Sequence, residues 1–283
     1  MGDQAATLRV IRGGGAGPAL QRRAFAVSGG KGGVGKSTIA LNLALAYAQQ
    51  GLRTLMVDTD LGMADLNLLL GVAPERSLLD ALGGTPIEDI IVSAHGLDLL
   101  PALNGSYLLS TIGPTGQQRI LELVQSLADR YHALVVDVAA GIGQIQTRFA
   151  SATTDAIVVV NPEPLSMADA YACLKVLSVE QGVRHAFIVA NRVTSRAQAD
   201  EITSRLGALV SRFLDLKLTS LPPIPADPAV GEAAQIGVPL VAHAPDAPAA
   251  RAIRQLTRAL ASLAPPSAAT WWRQPARVEG DRR

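Results

Sequence analysis

From Ala24 onward the chain alternates short, uninterrupted apolar runs with longer mixed segments. Phe25–Val27, Thr54–Val57, Ala133–Val136, Ala156–Val160 and Ala186–Val189 lack polar alternation, the pattern of strands buried on both faces. Between them Lys36–Gln50, Gly116–Arg130, Ser166–Gln181 and Ser195–Phe213 have helical length. This rhythm predicts an α/β fold: a doubly wound, mostly parallel sheet with helices on both faces and ligands outside the carboxyl ends of the strands. A last helix, about Ala249–Leu263, places Ile253, Leu256, Leu260 and Leu263 on one face and Arg251, Arg254 and Arg258 on another, and Pro265-Pro266 stops it. Its leucine face either closes the core or docks on a membrane. The core reading is favoured, because an interfacial helix is not needed to explain four apolar positions.

Ahead of the first strand, Arg12-Gly13-Gly14-Gly15-Ala16-Gly17-Pro18 reads as a flexible tether. The expected organisation is a partner-contacting segment and tether over 1–22, one domain over 23–264 and a polar tail over 265–283. No internal repeat or second domain is visible. The length of 283 residues suits one large domain, and 48% hydrophobic against 17% charged residues excludes a mainly disordered chain. No apolar run approaches the ~18 residues of a bilayer-spanning helix. With no apolar secretory segment either, a cytoplasmic protein is expected. The single cysteine, Cys173, rules out an intramolecular disulfide or a cysteine-only metal cage and fits a small core residue.

Charge sharpens the picture. The net charge is +1, but residues 1–23 hold four arginines against one acid and residues 265–283 four against two, which leaves the body mildly acidic. Specific nucleic-acid binding is therefore not expected, and partners are expected at the basic ends. Only four of the 25 basic residues are lysines, and two of them, Lys31 and Lys36, share one glycine-rich stretch.

That stretch, Gly30-Lys31-Gly32-Gly33-Val34-Gly35-Lys36-Ser37, matches the phosphate-loop pattern GxxxxGK[ST] and lies between an apolar strand and an amphipathic helix. Its backbone N–H groups and the helix N-terminus suit phosphate oxygens. Lys36 is expected on the β- and γ-phosphates, Ser37 on Mg²⁺ and Thr38 on the α-phosphate side. Lys31 is not required by the general motif, and two ammonium groups so close repel unless another anion intervenes.

The arrangement KGGVGKS resembles the deviant Walker A motif of the MinD/ParA class of P-loop ATPases. The resemblance implies an ATPase with ATP/ADP and Mg²⁺ as ligands and a nucleotide-sandwich homodimer, in which Lys31 would reach the partner's phosphates; otherwise Lys31 is a solvated surface lysine. Asp58-Thr59-Asp60-Leu61-Gly62 is similar to the family's switch I, implying that Asp60 positions the attacking water and Asp58 stands behind the metal; the alternative for Asp60 is a helix cap. Asp137 takes the Walker B role, on Mg²⁺ through water, and Ala140-Gly141 resembles switch II, with the Gly141 amide toward the γ-phosphate. Where the family usually has a hydroxyl residue next to this aspartate, the chain has Val138. Asn191 matches an asparagine on the adenine edge, and Ile224-Pro225-Ala226-Asp227 the segment that lines the base with backbone groups. Both sets could otherwise be ordinary loop residues.

Within this class, Asp3-Gln4-Ala5-Ala6-Thr7-Leu8-Arg9 resembles the DQAxxLR segment with which FlhG (FleN) proteins contact the flagellar GTPase FlhF. The resemblance puts Asp3, Gln4, Ala5, Leu8 and Arg9 on that partner; otherwise this is a tail without a role. Asp60–Asn67 and Pro162–Tyr171 are similar to the same branch, with Asp65 and Asn67 exchanged relative to its usual order. The resemblance implies a regulator of flagellar number and placement that stimulates FlhF and restrains flagellar gene expression or assembly, with a flagellar master transcription regulator or switch-complex proteins as further partners. Peripheral, reversible contact with the inner face of the membrane or the cell pole is a further expectation, with Trp271 and Trp272, beside Arg273, as the candidates for a lipid or partner contact. The competing readings are a septum-positioning membrane switch and a partition ATPase that binds DNA non-specifically.

Overall fold

The computed structural model describes residues 22–60, 65–102 and 113–264. The expected partner-contacting residues 3–9, the tether and the tail with Trp271 and Trp272 lie outside these, as does the stretch 61–64 behind Asp60.

In chain order the elements are β1 (Arg23–Ser28), α1 (Lys36–Ala48), β2 (Thr54–Asp58), α2 (Leu66–Leu69), α3 (Leu78–Leu82), β3 (Val92–Ala94), β4 (Leu97–Leu100), α4 (Pro114–Leu127), β5 (Ala133–Asp137), α5 (Gln144–Ala152), β6 (Asp155–Val160), α6 (Pro164–Val179), β7 (His185–Val193), α7 (Arg196–Phe213), β8 (Lys217–Ser220), β9 (Ile224–Pro225), α8 (Pro228–Gln235), α9 (Leu240–His243) and α10 (Pro248–Ala261). The sheet order is β3-β4-β2-β5-β1-β6-β7-β8, with β9 on β7, and every pairing is parallel except β3 with β4. The doubly wound sheet expected from the hydrophobic pattern is thus present, closed at one edge by a short antiparallel strand.

The central strands β1, β2, β5 and β6 are buried at every position, because both faces are covered. One face carries an apolar cluster with Leu121, Phe149, Leu174 and Leu206 from α4 to α7; the other a cluster with Leu41, Leu45, Leu240 and Leu256 from α1, α9 and α10. Strand β1 lies between β5 and β6, and chain connections leave it in opposite directions on the two sides. That is a topological switch point, where an open α/β sheet leaves a crevice beyond its carboxyl ends.

One expected helix differs in character. Helix α1 is buried nearly all round rather than amphipathic: from Ile39 to Tyr47 every residue is buried. The cause is α10, whose Ile253, Leu256 and Leu260 are buried against it. The favoured reading of the last helix therefore holds, and its apolar face is not available to a membrane. Helix α5, the edge strands β3 and β8, and β4 just inside β3 do not stand out in the sequence pattern. They are short, and Lys217–Ser220 is nowhere fully buried.

Candidate functional site

Register brings the acidic residues together. Asp58 and Asp137 end adjacent strands and are direct partners across β2 and β5, while Val27 of β1 pairs with Asp137 on its other side. Thr59 donates through its backbone N–H and its hydroxyl to the Asp137 carbonyl, at 3.2 and 2.7 Å. The strand ends are tied together at the mouth of the crevice.

The phosphate loop fills the turn from β1 into α1. Gly35 caps the helix with φ 97°, and a Cβ there would stand 2.4 Å from Asn191 Nδ2. Gly30 faces a different constraint: a Cβ would come within 2.1 Å of the Asp169 carbonyl in α6. One glycine is needed for conformation, the other for close approach. Asn191 braces the loop from β7 by donating to the Val34 carbonyl at 2.7 Å.

Lys36 is buried, and its Nζ donates to the Lys31 carbonyl at 3.3 Å. Burial lowers its pKa, opposed by the charges of Asp137 and Asp60. Burial likewise raises Asp137 to about 7, while a hydrogen bond from Ser37 and the charge of Lys36 pull it down. Asp58 is pushed well above the usual carboxylate range by burial and then by Asp137. Asp137 Oδ1 is buried with no hydrogen-bond partner among the described residues. A Mg²⁺ with its water shell fits this cluster, since it takes few carboxylates and offers charge and donors to such an oxygen. Ser37 and Asp137 would hold it, with Asp58 behind.

Asp60 is half-buried, and its backbone N–H donates to Asp58 Oδ1 at 2.9 Å. That bond orders the start of the switch-like segment. Gly141, with φ 111°, directs its N–H toward the Gly29 carbonyl at 3.5 Å, so a segment just after β5 meets the start of the phosphate loop. Val138 is buried in the core and donates its N–H to the Val27 carbonyl at 3.0 Å. Lys31 lies on the outer rim, its side chain 43% exposed and 3.4 Å from Glu163 Oε2.

Two cavities of about 400 Å³ each adjoin the loop. The first is bordered by Asn191, Ile224–Asp227 and α8; the second by Gly33, Gly35–Thr38, Asp65 and Leu68. Gly35, Thr38, Arg192 and Ala234 border both, so the phosphate loop and the expected base-binding residues line one connected crevice. Within it, two expectations need refining. The Asp227 carboxylate caps α8 through Ala229 N–H at 3.0 Å and α10 through Ala249 N–H at 2.9 Å. Its side chain is committed to two helix starts, and what it offers the cavity is backbone. One N–H of the Asn191 amide is likewise committed to Val34, leaving its carbonyl oxygen and second N–H for a ligand. Sequence reasoning also missed Arg192 and Ala234, and gave Asp65 no place at the crevice. Nothing in the linear pattern marks them, because they reach the crevice through a bulge and through helix placement.

A family model described as ParA, NUBPL iron-transfer P-loop NTPase, matches residues 21–261. The antiactivator FleN of Pseudomonas aeruginosa is 36% identical over 213 residues, covering 75% of this chain and 76% of FleN. The flagellum site-determining protein YlxH of Helicobacter pylori is 33% identical over 186 residues, 64% of this chain and 62% of YlxH. Among solved structures, the septum site-determining protein MinD of Pyrococcus horikoshii, complexed with Mg-ADP, superposes with a TM-score of 0.69 at 26% identity, covering 84% of this chain and 96% of that one. The motif, the sheet topology and these likenesses agree: the chain belongs to the MinD/ParA family of P-loop NTPases, in its FleN/FlhG branch.

Proposed function

We propose that this protein is an ATP-hydrolysing switch that dimerises on binding ATP and Mg²⁺ and regulates flagellar number and placement. The observation that carries the ATPase reading is the buried Asp137 Oδ1, unpartnered among the described residues, beside Ser37 and Lys36, which line a crevice that continues into the cavity beside Asn191. The flagellar reading rests on the likeness to FleN and YlxH.

In this reading the loop amides and Lys36 take the β- and γ-phosphates, while Thr38 lies toward the α-phosphate. Asn191 and the backbone of Pro225 and Asp227 take the base. Ser37 and Asp137, with Asp58 behind, would hold Mg²⁺, which would supply positive charge to the phosphate groups. Asp60 accepts a hydrogen bond from the attacking water and orients it. The water oxygen then bonds to the γ-phosphorus as the bond to the bridging oxygen breaks, giving ADP and phosphate. Phosphoryl transfer asks little more of the protein than positioning and charge. Lys31, exposed on the rim and held only by a surface ion pair, is placed to leave Glu163 for the phosphates of a second copy.

Dimerisation makes the bound nucleotide legible to partners. We assign stimulation of the flagellar GTPase FlhF to Asp3, Gln4, Ala5, Leu8 and Arg9, and peripheral membrane contact to the tail rather than to α10. The test combines two assays on the full chain: phosphate release from ATP with Mg²⁺, and FlhF GTPase rate with and without the protein. The absence of both phosphate release and nucleotide binding would remove the ATPase reading; an unchanged FlhF rate would remove the partner.

A further inference from the structure

Strand β7 does not end smoothly. Asn191 pairs with Ile224 and Val193 with Pro225, so the bulge between them falls at Arg192. Arg192 adopts φ 56°, one of two non-glycine residues at positive φ among those described. A left-handed conformation is disfavoured for a residue with a Cβ, and such positions persist where the surroundings fix them. Here the neighbours fix it: Asn191 and Val193 are both buried, while Arg192 is exposed. A bulge re-aims a side chain. This one places Arg192 on the border of both cavities, the single charged residue that they share.

Opposite it stand Gly35 and Thr38, at the start of α1. No carboxylate among the described residues pairs with the Arg192 guanidinium. A ligand with its base beside Asn191 and its terminal phosphates beside Lys36 must pass between Arg192 and the start of α1. What lies in the middle of such a ligand is the sugar and the α-phosphate. An anion there would meet the partial positive charge of the helix N-terminus on one side and a guanidinium fork on the other.

We propose that Arg192 binds the α-phosphate of the nucleotide, closing the crevice at the point where its two cavities join. The proposal rests on the ATPase reading and adds to it a residue outside the phosphate loop and the base-lining segment. Since ADP and ATP share the α-phosphate, the contact serves both and does not distinguish them.

The test is equilibrium binding of ADP and of a non-hydrolysable ATP analogue, with Mg²⁺, to the full chain carrying Arg192→Ala, Arg192→Gly or Arg192→Lys. Loss of one charge-assisted contact is expected to weaken both nucleotides about tenfold or more in the Ala and Gly variants, with their ratio unchanged. The Lys variant is expected to recover part of the loss. Gly suits the left-handed backbone, so its thermal midpoint should be no lower than that of Ala. Adenosine, lacking phosphate, should compete equally well at the wild-type and Ala proteins. Binding of ADP by the Ala variant within about twofold of wild type overturns the proposal. So does normal binding by the Gly variant, which would reduce Arg192 to a backbone role. A defect confined to the ATP analogue, or one shared by adenosine, also overturns it by moving the contact to the γ-phosphate or the base. Wild-type protein that binds neither nucleotide refutes the ATPase reading itself, an outcome distinct from all of these.

Discussion

At the residue scale, the site gathers charges that oppose one another until a ligand arrives. Lys36, Asp58 and Asp137 are all buried, and burial shifts each toward its neutral form. This has a consequence for the nucleotide-free protein in a chelator. Between the ordinary value of 3.8 and about 7, the folded Asp137 keeps a proton that the unfolded chain has lost. The folded state binds more protons across that window, so stability falls as pH rises through it. Asp58, also raised, acts in the same direction. Asp137→Asn removes one of these costs, and its melting temperature should exceed that of wild type by several degrees near pH 8 but not near pH 4. Thermal melts at both pH values check this, and an equal difference at both contradicts it. Lys36→Ala, which removes the one buried ammonium of the loop, should abolish nucleotide binding to the full chain, read by calorimetry.

The residue scale also shows what could be read in advance. Lys36 and Ser37 follow from a motif whose spacing is itself the geometry, whereas Lys31 and Asp137 were legible only through the family resemblance. Asp227 follows only in part, since nothing in the sequence tells that both carboxylate oxygens cap helices. Arg192 does not follow at all: a left-handed bulge is set by pairing between strands far apart in sequence.

At the element scale, the five central and neighbouring strands were legible because parallel strands covered on both faces must be apolar throughout. Strands β3 and β8 were not, because edge strands are short and partly solvated, nor was β4, a four-residue strand interrupted by the half-buried Asp98. Helix α10 illustrates the same limit. Its arginine-striped sequence favours a core over a membrane surface but allows both, and packing on α1 decides for the core. The end of α10 is secured by Arg23, whose guanidinium bonds the Asp155 carboxylate at 3.0 Å and also the carbonyls of Leu263 and Ala264. Both side chains are nearly fully buried. Asp155→Ala would leave a buried guanidinium without its charge partner, at a cost of about 3–5 kcal/mol. Leu256→Ala, opening a cavity between α10 and α1, should cost about 2–5 kcal/mol. Chemical denaturation measures both. A loss under about 1 kcal/mol for Leu256→Ala would mean that α10 is not part of the core.

At the scale of the whole molecule, the fold places the nucleotide crevice at the carboxyl ends of the strands, while Arg23 begins β1 at the opposite end and binds the chain where α10 finishes. The segments before residue 22 and after residue 264 therefore join the domain at the pole away from the nucleotide. Communication between crevice and partner then needs a change larger than a side-chain shift, and a nucleotide-dependent dimer supplies one. Deleting residues 1–10 should accordingly leave the basal ATPase rate intact and remove stimulation of FlhF, in parallel assays of phosphate release. Equal stimulation by the truncated protein contradicts the assignment of that segment.

The dimer is the claim on which the rest depends. Light scattering after size exclusion, on Asp60→Ala protein loaded with ATP and Mg²⁺, tests it most directly. A dimer with ATP, a monomer with ADP, and a monomer when Lys31→Ala is added are the predicted results. A protein that holds ATP and stays monomeric throughout would contradict the account.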